Sequence, residues 1–480
     1  MSSRSASWSA PEPRVIASRF PLSAFRNTQP ERKLWARRPL QLMTLSRQGA
    51  RILLEMSNFY CHRGKAGGSP DDFRGAGIVF NVDSGIGRGM TQYTFLEFFA
   101  GGGMARAGLG NSWRCLFAND LDQKKVSTYE ANWGARDIWR GDVASLTLAD
   151  LPATVVDLAW ASFPCQDLSL AGGYRGLGRE RDNAPTRSGT FWPFWKLMRG
   201  LVLADRAPRT IVLENVYGCL TSHGGKDFAA ISSALADSGY KFGTAVINAS
   251  HFVPQSRPRV FFIAVRKGEA IPNSLVAPGP EPRWHPVALI DAHAGMTPNA
   301  RRNWVWWEVG TPAARNLTFS DLVEDIPTGV KWHTAAHTQY LLELMTPLHR
   351  QKVARAMNSG RRTVGTIYRR TRPDENGTKR QRAEVRFDEI AGCLRTPAGG
   401  SSRQTILVVE GETVRSRLLS TLEAARLMGL SDGYRLPERY NDAYHVCGDG
   451  VCVPVVRHLA ARLLEPMLKA NRTAEFIAAE

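Results

Sequence analysis

The chain has 480 residues, of which 43% are hydrophobic and 22% charged, values typical of a globular protein with two or three domains. Its seven cysteines form no CxxC pair, and no apolar run reaches the roughly 18 residues of a membrane helix, which argues against a disulfide scaffold, a cysteine-based zinc site and an integral membrane protein. The net charge of +18 favours a polyanionic partner, nucleic acid first, although a basic protein without such a partner has the same composition.

Residues 1–90 differ in composition from the rest of the chain. They hold 14 Lys and Arg against 6 Asp and Glu, and they show no persistent helix or strand period. Their composition resembles a transit peptide, but they lack the apolar core of a secretory signal. We expect a basic, disordered leader or a mis-assigned translation start, because Met90 stands just before the first predicted strand.

From Thr94 onward, strand and helix patterns alternate. The predicted strands are 94–99, 113–118, a short element ending at Gly141-Asp142, 155–161, 210–213, 242–248 and 259–265. The predicted helices are 191–203 and 229–238. This alternation predicts an α/β fold with a parallel sheet covered on both faces, whose ligands bind beyond the carboxyl ends of the strands.

The alternation is lost over 269–390, which is rich in Pro and Trp. Between Arg350 and Arg386 there are 12 Lys and Arg against 3 Asp and Glu. A strand at 405–409 and helices at 421–428 and 452–468 follow. We therefore predict a first domain in two parts, 91–268 and 391–480, separated by an inserted basic region, 269–390.

A glycine-rich turn follows the first predicted strand. Gly101, Gly102 and Gly103 let the chain turn sharply, so that a ligand can approach backbone N–H groups. Asp120 ends the next strand at the spacing of a ribose-binding carboxylate. The two features together favour a nucleoside cofactor, whereas the glycines alone are equally typical of a ligand-free turn.

Three further motifs stand at strand ends. Cys165 follows Pro164 and is placed to act as a nucleophile, while the other cysteines beyond the leader are expected to be small buried apolar residues. Glu214 ends the next strand, where a carboxyl group can donate a proton or remain a solvated or paired charge. Arg257 and Arg259 share one face of an extended chain and could hold an anionic or carbonyl-bearing substrate.

Together these blocks resemble the cytosine-5 DNA methyltransferases, in the order typical of that family. The matching blocks are FFAGGGM, AND at 118–120, GDV at 141–143, FPCQ, ENV, QSRPR, RTPAGGSSRQ at 395–404 and GDGV at 448–451. The resemblance implies a Rossmann-like methyltransferase domain with an inserted target-recognition domain. It also implies that S-adenosylmethionine is the cofactor and that the substrate is a cytosine flipped out of double-stranded DNA.

The resemblance implies roles for individual residues. Catalysis falls to Cys165, which attacks C6, Glu214, which contacts N3 and the exocyclic amine, and Arg257 and Arg259, which support Glu214 and O2. The expected cofactor-binding residues are Phe99, Gly101, Gly103, Met104, Asp120, Leu121, Asp142, Val143, Pro164, Asp449 and Val451. The residues expected to contact the substrate or the DNA are Gln166, Ser169, Asn215 and Gln255.

Two positions depart from the family pattern. Asp449 stands where the family usually has Asn, and Met104 replaces a glycine, so either residue could reshape cofactor binding. We expect no metal site, because His333 and His337 lack further metal-binding neighbours.

The expected setting is the cytoplasm of a prokaryote, or a phage, with a monomeric enzyme that partners a restriction endonuclease or acts as an orphan methylase. The alternatives are an RNA cytosine-5 methyltransferase and a non-catalytic DNA-binding homologue.

Overall fold

The computed structural model describes residues 92–164, 188–374, 376–395 and 403–479. The predicted leader, together with Cys165, Gln166 and Ser169, lies outside the described residues. No helix in the described part has the length and apolarity that a membrane span requires.

The described residues form eleven strands and thirteen α-helices. The strands are β1 (Tyr93–Phe98), β2 (Trp113–Asp120), β3 (Ile138–Arg140), β4 (Leu158–Ala161), β5 (Thr210–Val216), β6 (Tyr240–Asn248), β7 (Pro258–Arg266), β8 (Thr363–Pro373), β9 (Lys379–Arg386), β10 (Thr405–Glu410) and β11 (Thr413–Leu418). The helices are α1 (Met104–Leu109), α2 (Gln123–Trp133), α3 (Phe191–Leu203), α4 (Lys226–Asp237), α5 (Val287–Ala294), α6 (Pro298–Arg302), α7 (Phe319–Leu322), α8 (Ala335–Glu343), α9 (Pro347–Asn358), α10 (Thr421–Leu427), α11 (Tyr440–Asp449), α12 (Val453–Leu459) and α13 (Glu465–Ala479). A π-helical turn, Ala460–Leu464, joins the last two.

The larger sheet has seven strands in the order β3-β2-β1-β4-β5-β7-β6. The first five strands in this order are parallel, which confirms the predicted Rossmann-like α/β fold. β7 runs antiparallel to both of its neighbours, so the expectation of an all-parallel sheet was wrong for this strand. The reason is the short link 249–257 between β6 and β7, because a parallel crossover needs a dozen or more residues.

Both faces of this sheet are buried. On one face, Phe95 packs in the same core as Val456 and Leu463 of the C-terminal helices. On the other face, Leu96 packs with Phe194 of α3. Neighbouring residues of β1 thus point to opposite cores, as the two-residue period of a strand requires. The C-terminal helices therefore cover one face of the larger sheet, and the division of the chain into domains stays a prediction.

The smaller sheet has four antiparallel strands in the order β11-β10-β8-β9. It joins strands from both sides of the predicted boundary at residue 390. Part of the predicted inserted region packs instead on the larger sheet, where Trp284 and Trp307 are fully buried. The Trp307 indole Nε1 donates a hydrogen bond to the Ile263 carbonyl of β7 at 3.1 Å.

Candidate active site

The carboxyl ends of the parallel strands β3, β2, β1, β4 and β5 meet at one edge of the larger sheet, because neighbouring parallel strands end on the same side. The motifs singled out in the sequence follow these strands. The site is built from two halves: one around β4 and β5, and one around β1, β2 and β3.

The chain that leads to Cys165 is tied to β5. The Asn215 side chain donates a hydrogen bond from Nδ2 to the Phe163 carbonyl at 3.1 Å, and its Oδ1 accepts one from the Val216 backbone at 2.8 Å. Asn215 and Phe163 are both buried. The predicted substrate contact at Asn215 is thus also a structural anchor that holds the segment before Pro164 against the next strand.

Glu214 is buried at the end of β5 and forms an ion pair with Arg259. The Arg259 Nε lies 3.1 Å from Glu214 Oε1, and both side chains are more than four-fifths buried. The pairing of Glu214 with Arg259 matches the arrangement that the family resemblance implied.

Arg257 and Gln255 are placed differently from what we expected. Arg257 is 2% exposed, and its Nη2 donates to the carbonyls of Gly448 and Gly450 at 2.8 and 2.7 Å instead of pairing with Glu214. The fully buried Gln255 donates from Nε2 to the Leu427 carbonyl at 2.7 Å. In this structure both side chains brace the C-terminal segment, and their roles in catalysis and substrate contact stay predictions.

The backbone of the glycine turn after β1 has an unusual conformation. Phe99, Gly101 and Gly103 all have positive φ angles, of 56°, 58° and 79°. A bulky residue such as Phe99 rarely adopts this conformation, and such strain is typical of functional turns. A side chain at Gly101 would point into open space, which leaves the turn accessible to a ligand.

Asp120 stands beside this turn. Its Oδ2 accepts a hydrogen bond from the Gly101 backbone N–H at 2.9 Å, and its Oδ1 accepts one from Asp122 at 2.9 Å. Leu121 is 67% exposed next to it. Asp142 is also exposed, and its Oδ1 caps the turn that begins at the buried Val143 by accepting from Ala144 at 2.9 Å. The carboxylates and the open turn fit a nucleoside cofactor.

The described part of the chain contains no cluster of three or more metal-binding side chains. His333 lies against His337, with 4.4 Å between the ring centroids, and its Nδ1 shares a hydrogen bond with the Ser416 hydroxyl at 2.9 Å.

Comparison with known proteins identifies the family. Residues 93–465 match the model of the C-5 cytosine-specific DNA methylases. The chain belongs to this family. It is 26% identical over 398 residues to the Type II methyltransferase M.HpaII of Haemophilus parainfluenzae, covering 78% of this chain and 90% of that protein. It is 25% identical over 383 residues to M.BsuFI of Bacillus subtilis, covering 79% and 74%. The solved structure of S. pombe Dnmt2 methyltransferase aligns with a TM-score of 0.46 at 16% identity, covering 78% and 99%.

As a C-5 cytosine-specific DNA methylase, the protein is a DNA cytosine-5 methyltransferase, and its methyl donor is S-adenosylmethionine. The predicted departures from the family pattern now have structural counterparts. Asp449 pairs with Lys125 of α2, with Oδ2 2.8 Å from Nζ. Burial lowers the pKa of Lys125, but Asp449 and Asp120 raise it by more, so the lysine stays charged. The family's neutral Asn is thus replaced here by one half of an ion pair.

Met104 and Val451 lie in the core of the methyltransferase domain. The Met104 sulfur fills the space beside Gly450, because a Cβ on that glycine would lie 2.2 Å from it. Both residues are thus packed in the core, and their contact with the cofactor stays a prediction.

Our sequence analysis missed Glu97, a buried carboxyl group in the middle of β1. Burial raises its pKa to about 8, and its Oε2 has no hydrogen-bond partner among the described residues. Backbone N–H groups of Ala105 and Arg106 face it, so it lies under the first turn of α1. The signal was an acidic residue inside an otherwise apolar strand pattern.

Proposed function

We propose that this methyltransferase modifies C5 of a cytosine within a specific sequence of double-stranded DNA. In this route the target base is flipped out of the helix and the Cys165 thiolate adds to C6. The observation that carries the proposal is the buried Glu214–Arg259 pair, which stands beside the anchored segment that leads to Cys165.

The proposed chemistry gives each of these groups one role. The Cys165 sulfur forms a bond to C6, and the electrons of the C5–C6 double bond shift into the ring. Glu214, held in place by Arg259, passes a proton to N3 as negative charge builds there, so that C5 becomes a nucleophile; the proton returns from N3 to Glu214 when the sulfur leaves. S-adenosylmethionine, when bound, supplies the methyl group. A base then removes the C5 proton, the double bond re-forms and the sulfur leaves.

We propose one orientation for S-adenosylmethionine in the half of the site around β1, β2 and β3. We assign the ribose to Asp120, the adenine to the exposed edge at Leu121 and Asp142, and the methionine end to the glycine turn. The Lys125–Asp449 ion pair joins α2 and α11 near this edge, because Lys125 also lies in the field of Asp120.

Sequence specificity is assigned to a basic ribbon, defined as residues 368–373 of β8 and 379–384 of β9. β10 pairs with β8 only between Thr363 and Ile367, so the ribbon extends beyond the sheet as two paired strands. A two-stranded ribbon fits the DNA major groove, which is about 12 Å wide.

The ribbon places like charges directly opposite each other. Arg370 faces Arg382, and Arg372 faces Arg380, across the two strands. Such pairs repel. The Glu384 carboxylate offsets part of this repulsion, because its Oε2 lies 3.5 Å from Arg370 Nη1 and its Oε1 lies 2.9 Å from Arg372 Nε. A bound polyanion relieves the remaining repulsion between the arginines. Arginine side chains also form paired hydrogen bonds with guanine O6 and N7. We therefore propose that the ribbon reads guanines in the target sequence.

The relatives reported above are bacterial Type II methyltransferases, which supports a role beside a restriction endonuclease in a bacterial cell. An orphan methylase is the other form of the same proposal. We further propose that the enzyme acts as a monomer.

The test is transfer of labelled methyl groups from S-adenosylmethionine to unmethylated genomic DNA, followed by bisulfite sequencing. We expect label on cytosine C5 within one short motif, and none with Cys165→Ala. Label on tRNA instead of DNA would move the assignment to an RNA methyltransferase. Tight, salt-sensitive DNA binding without any transfer would indicate a non-catalytic homologue.

A further inference from the structure

Cys393 differs from the other cysteines of the described part. We expected all of them to be buried apolar residues, and Cys115, Cys219, Cys447 and Cys452 are. Burial raises the pKa of Cys115, Cys447 and Cys452 to about 12. The prediction was wrong for Cys393, which is partly exposed and whose pKa is lowered.

The sulfur of Cys393 lies between two arginines. The Arg257 Nη1 donates to it at 3.5 Å and the Arg259 Nη2 at 4.0 Å. Arg259 also pairs through Nε with Glu214, and Arg257 also binds the carbonyls of Gly448 and Gly450. Cys393 therefore contacts both Arg259, which pairs with Glu214, and Arg257, which braces the C-terminal segment.

The charges around the sulfur favour its thiolate form. Burial by itself raises the pKa of the thiol, but Arg257, Arg259 and Arg395 outweigh burial and lower it below the ordinary value of 9.0. Tyr444 of α11 faces the same sulfur and carries no charge at neutral pH, since burial raises its own pKa to about 12. Deprotonation with rising pH therefore begins earlier here than in an unfolded chain.

We propose that Cys393 is a positioning residue of the methyl-transfer site, whose sulfur holds the Arg257 and Arg259 guanidinium groups in place and so keeps Arg259 against Glu214. The inference rests on the proposed function, because it assigns Glu214 to the target base. It also makes Cys393 a site of covalent modification: with iodoacetamide, the sulfur forms a bond to carbon, iodide leaves, and a neutral thioether replaces the charge.

The first experiment measures the thiolate directly in the full chain with Cys165→Ala. The rate of Cys393 alkylation by iodoacetamide is followed from pH 6 to 10 by mass spectrometry of the peptide, in the native protein and in urea. We expect the half-maximal rate at a lower pH in the native protein than in the unfolded chain. An equal or higher midpoint in the native protein overturns the proposal. The buried Cys447 is the internal control and should react only after unfolding.

The second experiment measures the effect of Cys393 on the rate of methyl transfer. Cys393→Ser and Cys393→Ala both remove the sulfur that contacts the two arginines, and we expect kcat to fall about tenfold or more in each, because displaced catalytic groups lose rate steeply. The KM for S-adenosylmethionine should stay within about twofold, since Arg257 keeps its own hydrogen bonds to the Gly448 and Gly450 carbonyls beside Asp449. A wild-type kcat in either variant overturns the proposal.

The two experiments separate this inference from the proposed function. If the wild-type protein transfers no methyl to DNA, the proposed function fails, while the alkylation midpoint still tests the contact between sulfur and arginines. If Cys393→Ala does not fold, Cys393→Ser and the alkylation measurement, which changes no residue near the arginines, remain decisive.

Discussion

Glu214 and Arg259 lie diagonally across the antiparallel strands β5 and β7. Arg259 stands opposite Val216, and Val216 shares a strand face with Glu214, so the guanidinium reaches the carboxylate without a loop to position it. A side chain held in this way between two central strands is pre-organised, which is what stabilisation of a developing charge requires.

Arg259→Ala removes this partner of Glu214, and we expect kcat for methyl transfer to fall about a hundredfold, as for loss of one charge-stabilising group. Arg266→Ala is the matched control, because Arg266 ends the same strand and pairs with Glu269, away from Glu214. Radiolabelled methyl transfer measures both variants. Similar rates for the two would contradict the assigned role of Arg259.

Glu97 predicts a dependence of stability on pH. Its pKa rises from 4.5 to about 8 on folding, so the folded protein holds a proton that the unfolded chain releases, and stability is lost as the pH rises through 8. We expect Glu97→Gln, which cannot ionise, to weaken this loss by a few kcal/mol between pH 6 and pH 9. Urea unfolding at both pH values is the measurement, and an unchanged pH dependence would refute the prediction.

At the scale of secondary-structure elements, the basic ribbon extends beyond the smaller sheet that supports it. The basic ribbon is the part of β8 and β9 that β10 no longer covers, and its side chains are largely exposed. α9 packs behind its base, where Val353 shares a core with Ile367 and Val385. The ribbon is thus held at one end and free to enter a groove at the other.

The double change Arg370→Gln and Arg382→Gln tests the ribbon. We expect weaker DNA binding with a reduced dependence on salt concentration, since each lost phosphate contact lowers the slope by roughly 1. If the two arginines read guanines, bisulfite sequencing will also show a relaxed motif. Arg136→Gln is the control, because Arg136 is an exposed arginine in the loop before β3. Unchanged affinity and an unchanged motif would exclude the ribbon from recognition.

At the scale of the whole molecule, one buried ion pair joins the smaller sheet to the helices behind it. Arg417 of β11 and Glu423 of α10 are both 0% exposed, with Nη2 2.6 Å from Oε1. Arg417 also donates to the Glu324 carbonyl at 2.9 Å, and Glu423 accepts from the Ser420 backbone at 2.7 Å. The pair therefore connects β11 with the start of α10 and with the loop that contains Glu324.

Arg417→Met leaves Glu423 buried without its partner, which typically destabilises a protein by about 3–5 kcal/mol. Asp432→Asn breaks the neighbouring pair between Arg426 and Asp432, whose carboxylate is 54% exposed, and should cost less than about 1 kcal/mol. Urea unfolding of both variants gives the comparison. A small loss for Arg417→Met would contradict the structural weight assigned to the buried pair.

Much of the fold was predictable because local patterns decide local structure. The helix predicted at 191–203 has those bounds, and the predicted strands match β1, β2, β6 and β7 to within two residues at each end. β5 runs further than predicted, through Val216, because polar Glu214 and Asn215 continue the strand while their side chains are satisfied by long-range contacts. Hydrophobic period cannot detect a polar residue whose partner lies elsewhere in the chain.

The order of polar motifs along the chain, each after a strand, was enough to predict a parallel sheet with its site at one edge, and the family resemblance implied that Arg257 and Arg259 support Glu214. The sequence could not tell Arg259 from Arg257, because their roles depend on which residues of the C-terminal segment pack against each. Nor could it assign β10 and β11 to the same sheet as β8 and β9, since strand pairing across a long separation leaves no local period. The sequence by itself determined which residues follow the strands and so lie at the site. Only the tertiary structure decided which arginine pairs with Glu214, because that pairing depends on contacts between segments that are distant in the chain.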